Sequence, residues 1–452
     1  MFGSRSCRPK RTALSLSSAA LRSNAPRGPH RPGGFADLLS LPAALVLLFS
    51  LVGCQFQPFL RRQTLHVVVV PTNRLEWLQR DGNDQIQWTP LLREYQRLHP
   101  GVQLQMSVVN EPDLEETLRR DRSRGLGPDV VVLRAPMANA LLEQGLVERL
   151  NDQPAWHRSK PLLKPDVVDR VTTSAGVSGL PVFSLLTLAC FDRRAVPQAP
   201  ASLDALLALA ASGRPIGVAV DPIGIWWSAG ALGAQDAMVP ILTGNPKITS
   251  NPGPGDRAAL LAWFTWLRQL ALQSRVDIAS GPQELVEGLE SGRLSWIPCY
   301  SSALGHLERT MGKGLGVASL PAGPAGPPTP FSTMMVMALG SDSSPPQRRM
   351  ALELSELSLD PLVQRELTLE SRMILPANRF VQVPVASSGR LAALEQAQRQ
   401  FDQRSKLLTS SFSADRVQRL QPLVEDLLWK VMLGVLTPQQ GVDAMIQIRP
   451  PS

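Results

Sequence analysis

The sequence predicts an α/β protein built as two lobes, and three observations point there. Strand and helix patterns alternate from residue 65 onward, the strand runs are apolar on both faces, and the chain is too long for one core. Leu65-His66-Val67-Val68-Val69-Val70 reads as a buried strand of a parallel sheet, ended by Pro71-Thr72-Asn73. Trp88, Leu91, Leu92, Tyr95 and Leu98 have helical spacing, and Pro100-Gly101 stops that helix. Val102 to Val109 is the next strand, Leu114 to Arg122 the next helix, and Val130 to Leu133 the strand after it. Strand, helix, strand, helix, strand in this order gives a right-handed α/β sheet.

Farther along, Ser202 caps a helix to Ala211, Pro215 to Val220 is a strand, and Asp256 to Leu272 is a long helix. In that helix Trp263, Phe264, Trp266 and Leu267 are expected in the core. Leu294 to Ile297 and Ser332 to Leu339 are strands, the second carrying Met334, Met335 and Met337 as core residues. Gly312 to Pro330 is rich in glycine and proline and reads as a loop. Helices are expected over 347–358, 362–370, 391–403, 414–433 and 438–446.

The beginning of the chain has a different character. Leu38 to Gly53 is uncharged and apolar apart from two serines, too short to span a bilayer comfortably and suited to the core of a signal peptide. It closes on Leu51-Val52-Gly53-Cys54, which resembles the lipobox of bacterial lipoproteins. The resemblance implies cleavage before Cys54 and a diacylglycerol on its thiol. Residues 1–53 are read as the signal peptide, with an over-long basic leader, and 54–63 as a lipidated tether.

Charge and cysteine content fit that reading. The whole chain is +8, but residues 1–53 hold seven Arg or Lys and one Asp, so the basicity belongs mainly to the export signal. The remainder of the chain is nearly balanced and has no strong electrostatic reason to bind nucleic acid. Cys190 and Cys299 remain in the body; they could pair in an oxidising compartment, but the expectation here is two separate buried small hydrophobes. Roughly 400 residues after Cys54 exceed one hydrophobic core.

Several fragments stand in a familiar order: Leu91 to Val102 (LLREYQRLHPGV), Gly127-Pro128-Asp129-Val130-Val131, Leu141 to Leu150 (LLEQGLVERL), Gly179-Leu180-Pro181-Val182, Cys190-Phe191-Asp192-Arg193, Pro200 to Leu206, Gly292 to Trp296, Leu320 to Pro324 and Gly434 to Met445. Together they resemble the extracellular solute-binding proteins of carbohydrate ABC transporters, the maltose-binding-like group, over residues 64–449. The resemblance implies a two-lobed periplasmic-binding-protein fold, type II-like, with a ligand cleft between lobes joined by crossover strands. Lobe 1 would comprise 64–185 and 321–380, and lobe 2 would comprise 186–320 and 381–449. The crossings are expected near Pro181 to Phe191, Leu320 to Phe331 and Leu375 to Pro384. The sequence departs from the family at three places: Phe191-Asp192-Arg193 stands for Tyr-Asn-Lys, Leu133-Arg134 for an aromatic after Pro128-Asp129, and Ser301 or Ser302 for a tryptophan.

Sugar pockets combine aromatic faces with a few planar polar groups. Candidate cleft residues are therefore Trp77 after the first strand and Arg134 at a strand end, able to hold a carboxylate, phosphate or hydroxyl. Phe183 and Ser184 lie on the expected crossover. Asp221, before Pro222, could accept two hydroxyl hydrogen bonds. Trp226 and Trp227 are adjacent and so are not expected to share one core, which leaves one for the cleft. Tyr300 and Ser301 end a strand, and Phe331 comes after the Gly/Pro loop.

No Gly-x-Ser-x-Gly or His-Glu-x-x-His motif is present, and the five histidines have no metal spacing. Neither a catalytic residue nor a metal or cofactor is expected. The leading expectation is a monomeric, non-catalytic lipoprotein outside the cytoplasm. It would capture a sugar-like solute and pass it to permease subunits. An exported sensory or scaffolding lipoprotein with the same fold is the alternative, and an exported hydrolase ranks behind it.

Overall fold

A computed structural model describes residues 63–71, 88–220, 222–238, 254–404 and 414–448. Among these, twelve strands run in chain order: β1 Gln63–Val69, β2 Val102–Val108, β3 Val130–Arg134, β4 Thr172–Thr173, β5 Gly176–Val177, β6 Leu180–Asp192, β7 Ile216–Ala219, β8 Val276–Ala279, β9 Trp296–Tyr300, β10 Leu315–Ala318, β11 Ser332–Leu339 and β12 Leu375–Pro376. β4 and β5 form a small hairpin; the other ten make one sheet in the order β2-β1-β3-β11-β6-β9-β7-β8, with β10 and β12 also paired to β6.

β6 is the axis of this sheet. Its thirteen residues are all buried, and at the usual strand rise they span roughly 43 Å. Leu180 to Leu186 pair antiparallel with β11, and Thr187 to Phe191 pair antiparallel with β9. The strand therefore leaves one half of the sheet and enters the other without a break. In the first half β1, β2 and β3 are mutually parallel, as the apolar faces of Leu65 to Val70 and Val130 to Leu133 require.

Helices flank both halves. In chain order the main ones are α1 Thr89–Leu98, α2 Glu111–Ser123, α3 Ala135–Glu143, α4 Pro165–Arg170, α5 Leu203–Ala211, α6 Pro222–Ala231, α7 Pro254–Ala271, α8 Leu304–Met311, α9 Pro345–Leu357, α10 Gly389–Arg404, α11 Ala414–Leu433 and α12 Pro438–Gln447. Local chemistry explains their starts. Ser202 accepts a hydrogen bond from Ala205 N at 3.1 Å at the head of α5. Ser344 and Gln347 form a reciprocal capping box at α9, as Thr437 and Gln440 do at α12.

Two hydrophobic cores result. One fills both faces of the first half and continues along β6 through Leu186, Leu188 and Cys190 to Leu304 and Leu394. The other lies against the second half and is built from Trp227, Trp263, Phe264, Trp266, Trp296, Leu428 and Val431. Met334, Met335 and Met337 are buried on β11, as their pattern predicts.

Two expectations fail. Cys190 and Cys299 are not separate thiols but a disulfide, with Cα atoms 5.8 Å apart and 109 residues between them in sequence. Cys190 lies opposite Ile297 and Cys299 opposite Leu188, so the pair is a diagonal of the β6–β9 ladder. That adjacency exists only once the strands pair. The stretch Gly312 to Pro330 is not all loop either: β10 forms there and pairs with Ala189 to Asp192. A Cβ at Gly316 would collide with the Phe191 ring, so the glycine that suggested a loop admits a close strand neighbour.

Candidate functional site

Strand directions locate the site. β3 is antiparallel to β11 and β11 to β6, so β3 and its parallel neighbours run the same way as β6. Their carboxyl ends point toward the second half. β9 is antiparallel to β6 and β7 is parallel to β9, so their carboxyl ends point back toward the first half. Both sets of strand ends converge on the middle of β6, where open α/β sheets hold their ligands.

Three of the expected residues meet there on two successive residues of β6. Tyr300, partly exposed, lies opposite Thr187. Ser301 Oγ accepts a hydrogen bond from Leu186 N at 3.1 Å. The carbonyl of Phe331, also partly exposed, accepts from Thr187 N at 3.0 Å. Arg134 faces them from the other side: it is opposite Met335, which is opposite Phe183. Phe183 and Thr187 are four residues apart on β6, so the rows of Arg134 and Tyr300 are separated by roughly 13 Å.

Arg134 is not a free cation. Its Nη2 donates to Glu111 Oε1, and its Nε is buried without a partner among the described residues. Glu111 is the first residue of α2, where a carboxylate also meets the positive end of the helix dipole. This partner was not singled out from the sequence, although an acid directly after a strand, at the start of a helix, is the available signal.

Other expected residues take structural places. Phe183 is buried and packs on Trp88, with ring centroids 5.2 Å apart. Ser184 is buried, its Oγ 4.0 Å from the Met334 sulfur. Trp226 and Trp227 correct the expectation that one of them leaves the core. Both are buried in the second core, and Trp227 sets its edge against Trp266 and Trp296 at 6.0 and 6.2 Å. α6 is covered on more than one side, so adjacent positions can both be internal. Trp77, Asp221 and Cys54 lie outside the described residues.

A further residue braces the crossing. Arg170, at the end of α4, donates through Nη2 to the Ser332 carbonyl at 2.7 Å and lies 5.2 Å over the Phe401 ring of α10. Burial lowers its pKa to about 10, opposed by Asp166 and Asp402, so it remains charged at neutral pH. It ties the first residue of β11 to α4 and α10.

A shallow cavity of about 420 Å³ lies elsewhere, between Leu203 and Asp204 of α5, the α7 face bearing Leu261 and Trp266, and Pro324. It does not include the residues at the crossing. Among the described residues no group of three or more His, Cys, Asp or Glu side chains could hold a metal ion. No described helix is long and apolar enough to cross a membrane.

Two sheet halves joined by a continuous strand, with strand ends facing across the join, define a two-lobed periplasmic solute-binding fold. Solved structures agree. The GacH receptor of Streptomyces glaucescens, known unliganded and with acarbose, aligns with a TM-score of 0.63 at 14% identity, covering 85% of this chain and 97% of that one. An ABC transporter solute-binding protein from Thermotoga lettingae bound with α-D-tagatose gives 0.64 at 14% identity, over 85% and 98%. The maltose/maltodextrin-binding domain MalE from Bdellovibrio bacteriovorus bound to maltotriose gives 0.62 at 15%, over 85% and 97%. At these identities the likeness establishes the fold. No curated protein matches by sequence. The family model for bacterial extracellular solute-binding proteins matches residues 91–388, and the chain belongs to that family.

Proposed function

We propose that this protein is the solute-binding lipoprotein of an ABC importer, holding a sugar or sugar-like solute between its lobes and passing it to membrane permease subunits. The observation that carries the reading is that the carboxyl ends of β3 and β9 face each other along Phe183 to Thr187 of β6, with Arg134 at one end of this stretch and Tyr300 and Phe331 at the other. The sugars in the related structures support the solute class. Hinge closure of two lobes around a ligand is the expected motion.

In this reading lobe 1 comprises 64–185 and 321–380, and lobe 2 comprises 186–320 and 381–449. Trp77 and Asp221 complete the solute site from the segments after β1 and β7. Phe183 and Ser184, buried on the crossing strand, back the site from within the first core. The protein acts as a monomer outside the cytoplasm, anchored by lipid on Cys54, and the Cys190–Cys299 disulfide suits an oxidising compartment.

A panel of mono- and oligosaccharides in thermal-shift titration tests the solute claim. Binding stabilises the folded state by about 2.7 kcal/mol at a hundredfold excess over Kd, and the bound sugar should be recovered unchanged. A solute hydrolysed on incubation would turn the reading to an enzyme. The absence of any shift would favour the sensory or scaffolding alternative, which gains support because four tryptophans, Trp227, Trp263, Trp266 and Trp296, are committed to a core. For the anchor, Cys54→Ser should abolish incorporation of labelled fatty acid into the protein; unchanged labelling would exclude lipid on that residue.

A further inference from the structure

Glu111 and Arg134 carry opposite charges at the rim of the cleft. β1 lies between β2 and β3 in the sheet, so the two side chains meet over the carboxyl end of β1. Glu111 is 36% exposed and Arg134 25%, and neither has another ionic partner among the described residues. The pair is therefore reachable from solvent and only partly enclosed.

A lone arginine at this position would attract a carboxylate or phosphate. Here one arm of the guanidinium already donates to Glu111, so the pair presents no net charge. It still offers both hydrogen-bonding senses: carboxylate lone pairs and the remaining guanidinium N–H groups. A hydroxyl, which donates and accepts, matches both. An anionic solute would have to displace Glu111 and leave a partly enclosed carboxylate unpaired, or lie beside it at like charge. Both outcomes are unfavourable.

We infer that Glu111 is a specificity-determining residue: by occupying Arg134, it makes the cleft accept uncharged polyhydroxy solutes and refuse the corresponding acids. This rests on the reading of the cleft as the solute site.

Thermal-shift titration of the full mature protein tests it with two sets of probes. Glucose, maltose and maltotriose form the neutral set; glucuronate and glucose 6-phosphate form the anionic set. The wild type is expected to shift with a neutral probe and with neither anion. Glu111→Gln frees Arg134 and should raise affinity for an anionic probe roughly tenfold to a hundredfold, the worth of a charge-assisted hydrogen bond. The gain should shrink as salt is added, and Arg134→Gln should show none. If Glu111→Gln does not fold, Glu111→Ser removes the carboxylate from the guanidinium and is read in the same way. A wild type that binds either anion overturns the inference, as does a Glu111→Gln protein that binds a neutral probe but gains no anion affinity. No shift with any probe in any variant is a separate result: it defeats the sugar-site reading itself, and the inference with it.

Discussion

The two halves of the sheet are held together by different chemistry. The first half is aliphatic: Leu65, Val67, Val130, Val131, Val132 and Leu133 bury both faces of parallel strands. The second half sets large aromatics on one face, with Trp227, Trp263, Trp266 and Trp296 in one core, carries Leu285, Val286, Leu289 and Ile297 on the other as part of the first core, and has a covalent tie between β6 and β9. Tryptophan therefore has a different meaning in this lobe. In a protein expected to stack sugars, aromatic residues invite assignment to the cleft. Here they fill space between a sheet of short strands and the helices α6, α7 and α11. The partly exposed aromatics at the crossing are Tyr300 and Phe331.

Substitutions in each half put this contrast at risk, and the tryptophan core should respond most. Trp227→Ala should destabilise the protein by about 3–5 kcal/mol, because it empties the contact between Trp266 and Trp296. Chemical denaturation would measure it. A Leu133→Ala change in the first half should cost about 2–5 kcal/mol. If the tryptophan change costs less than the leucine change, the aromatic core is not the mainstay of the second half.

The disulfide comes next. Replacing both Cys190 and Cys299 by serine should cost about 2–4 kcal/mol, since the bond closes a long loop in the unfolded chain. Equal melting temperatures under oxidising and reducing conditions would contradict this.

Asp129 is a polar tie in the first half. It is buried and accepts from His66 N at 2.8 Å and Ser343 Oγ at 2.7 Å. Asp129→Ala should cost about 2–3 kcal/mol by leaving those donors unsatisfied, and a loss no greater than that of an exposed aspartate would reject the role.

The mildest change is at the end of β6. The side-chain hydrogen bond from Arg194 holds the Asp192 carboxyl below its ordinary 3.8. A lowered acid contributes stability that is complete above the unfolded value and is lost as the pH falls through the folded one. Acidification below pH 3.8 should therefore weaken this corner, by under about 1 kcal/mol because Arg194 is largely exposed. Asp192→Asn should flatten that part of the stability–pH curve.

Much of the fold is legible in the sequence because its signals are local. Val67 to Val70 can only be buried on both faces, Pro345 and the Ser344–Gln347 box start α9, and Pro100-Gly101 ends α1. β10 is illegible because it is held by β6 rather than by its own composition. The site is less legible for a similar reason. Tyr300, Ser301 and Phe331 stand at strand boundaries, which sequence marks. The partnership of Arg134 with Glu111, 23 residues away, depends on β2 and β3 flanking β1.

Periodicity, caps and apolar runs act over a few residues, and they were enough to set the α/β class, the alternation of elements and the strand ends that form a cleft. The chain had to fold before Cys190 could meet Cys299, before Trp226 and Trp227 could share one core, and before Glu111 could neutralise Arg134. Each of these depends on which strands and helices become neighbours, and burial and pairing across tens to hundreds of residues are properties of the packed chain.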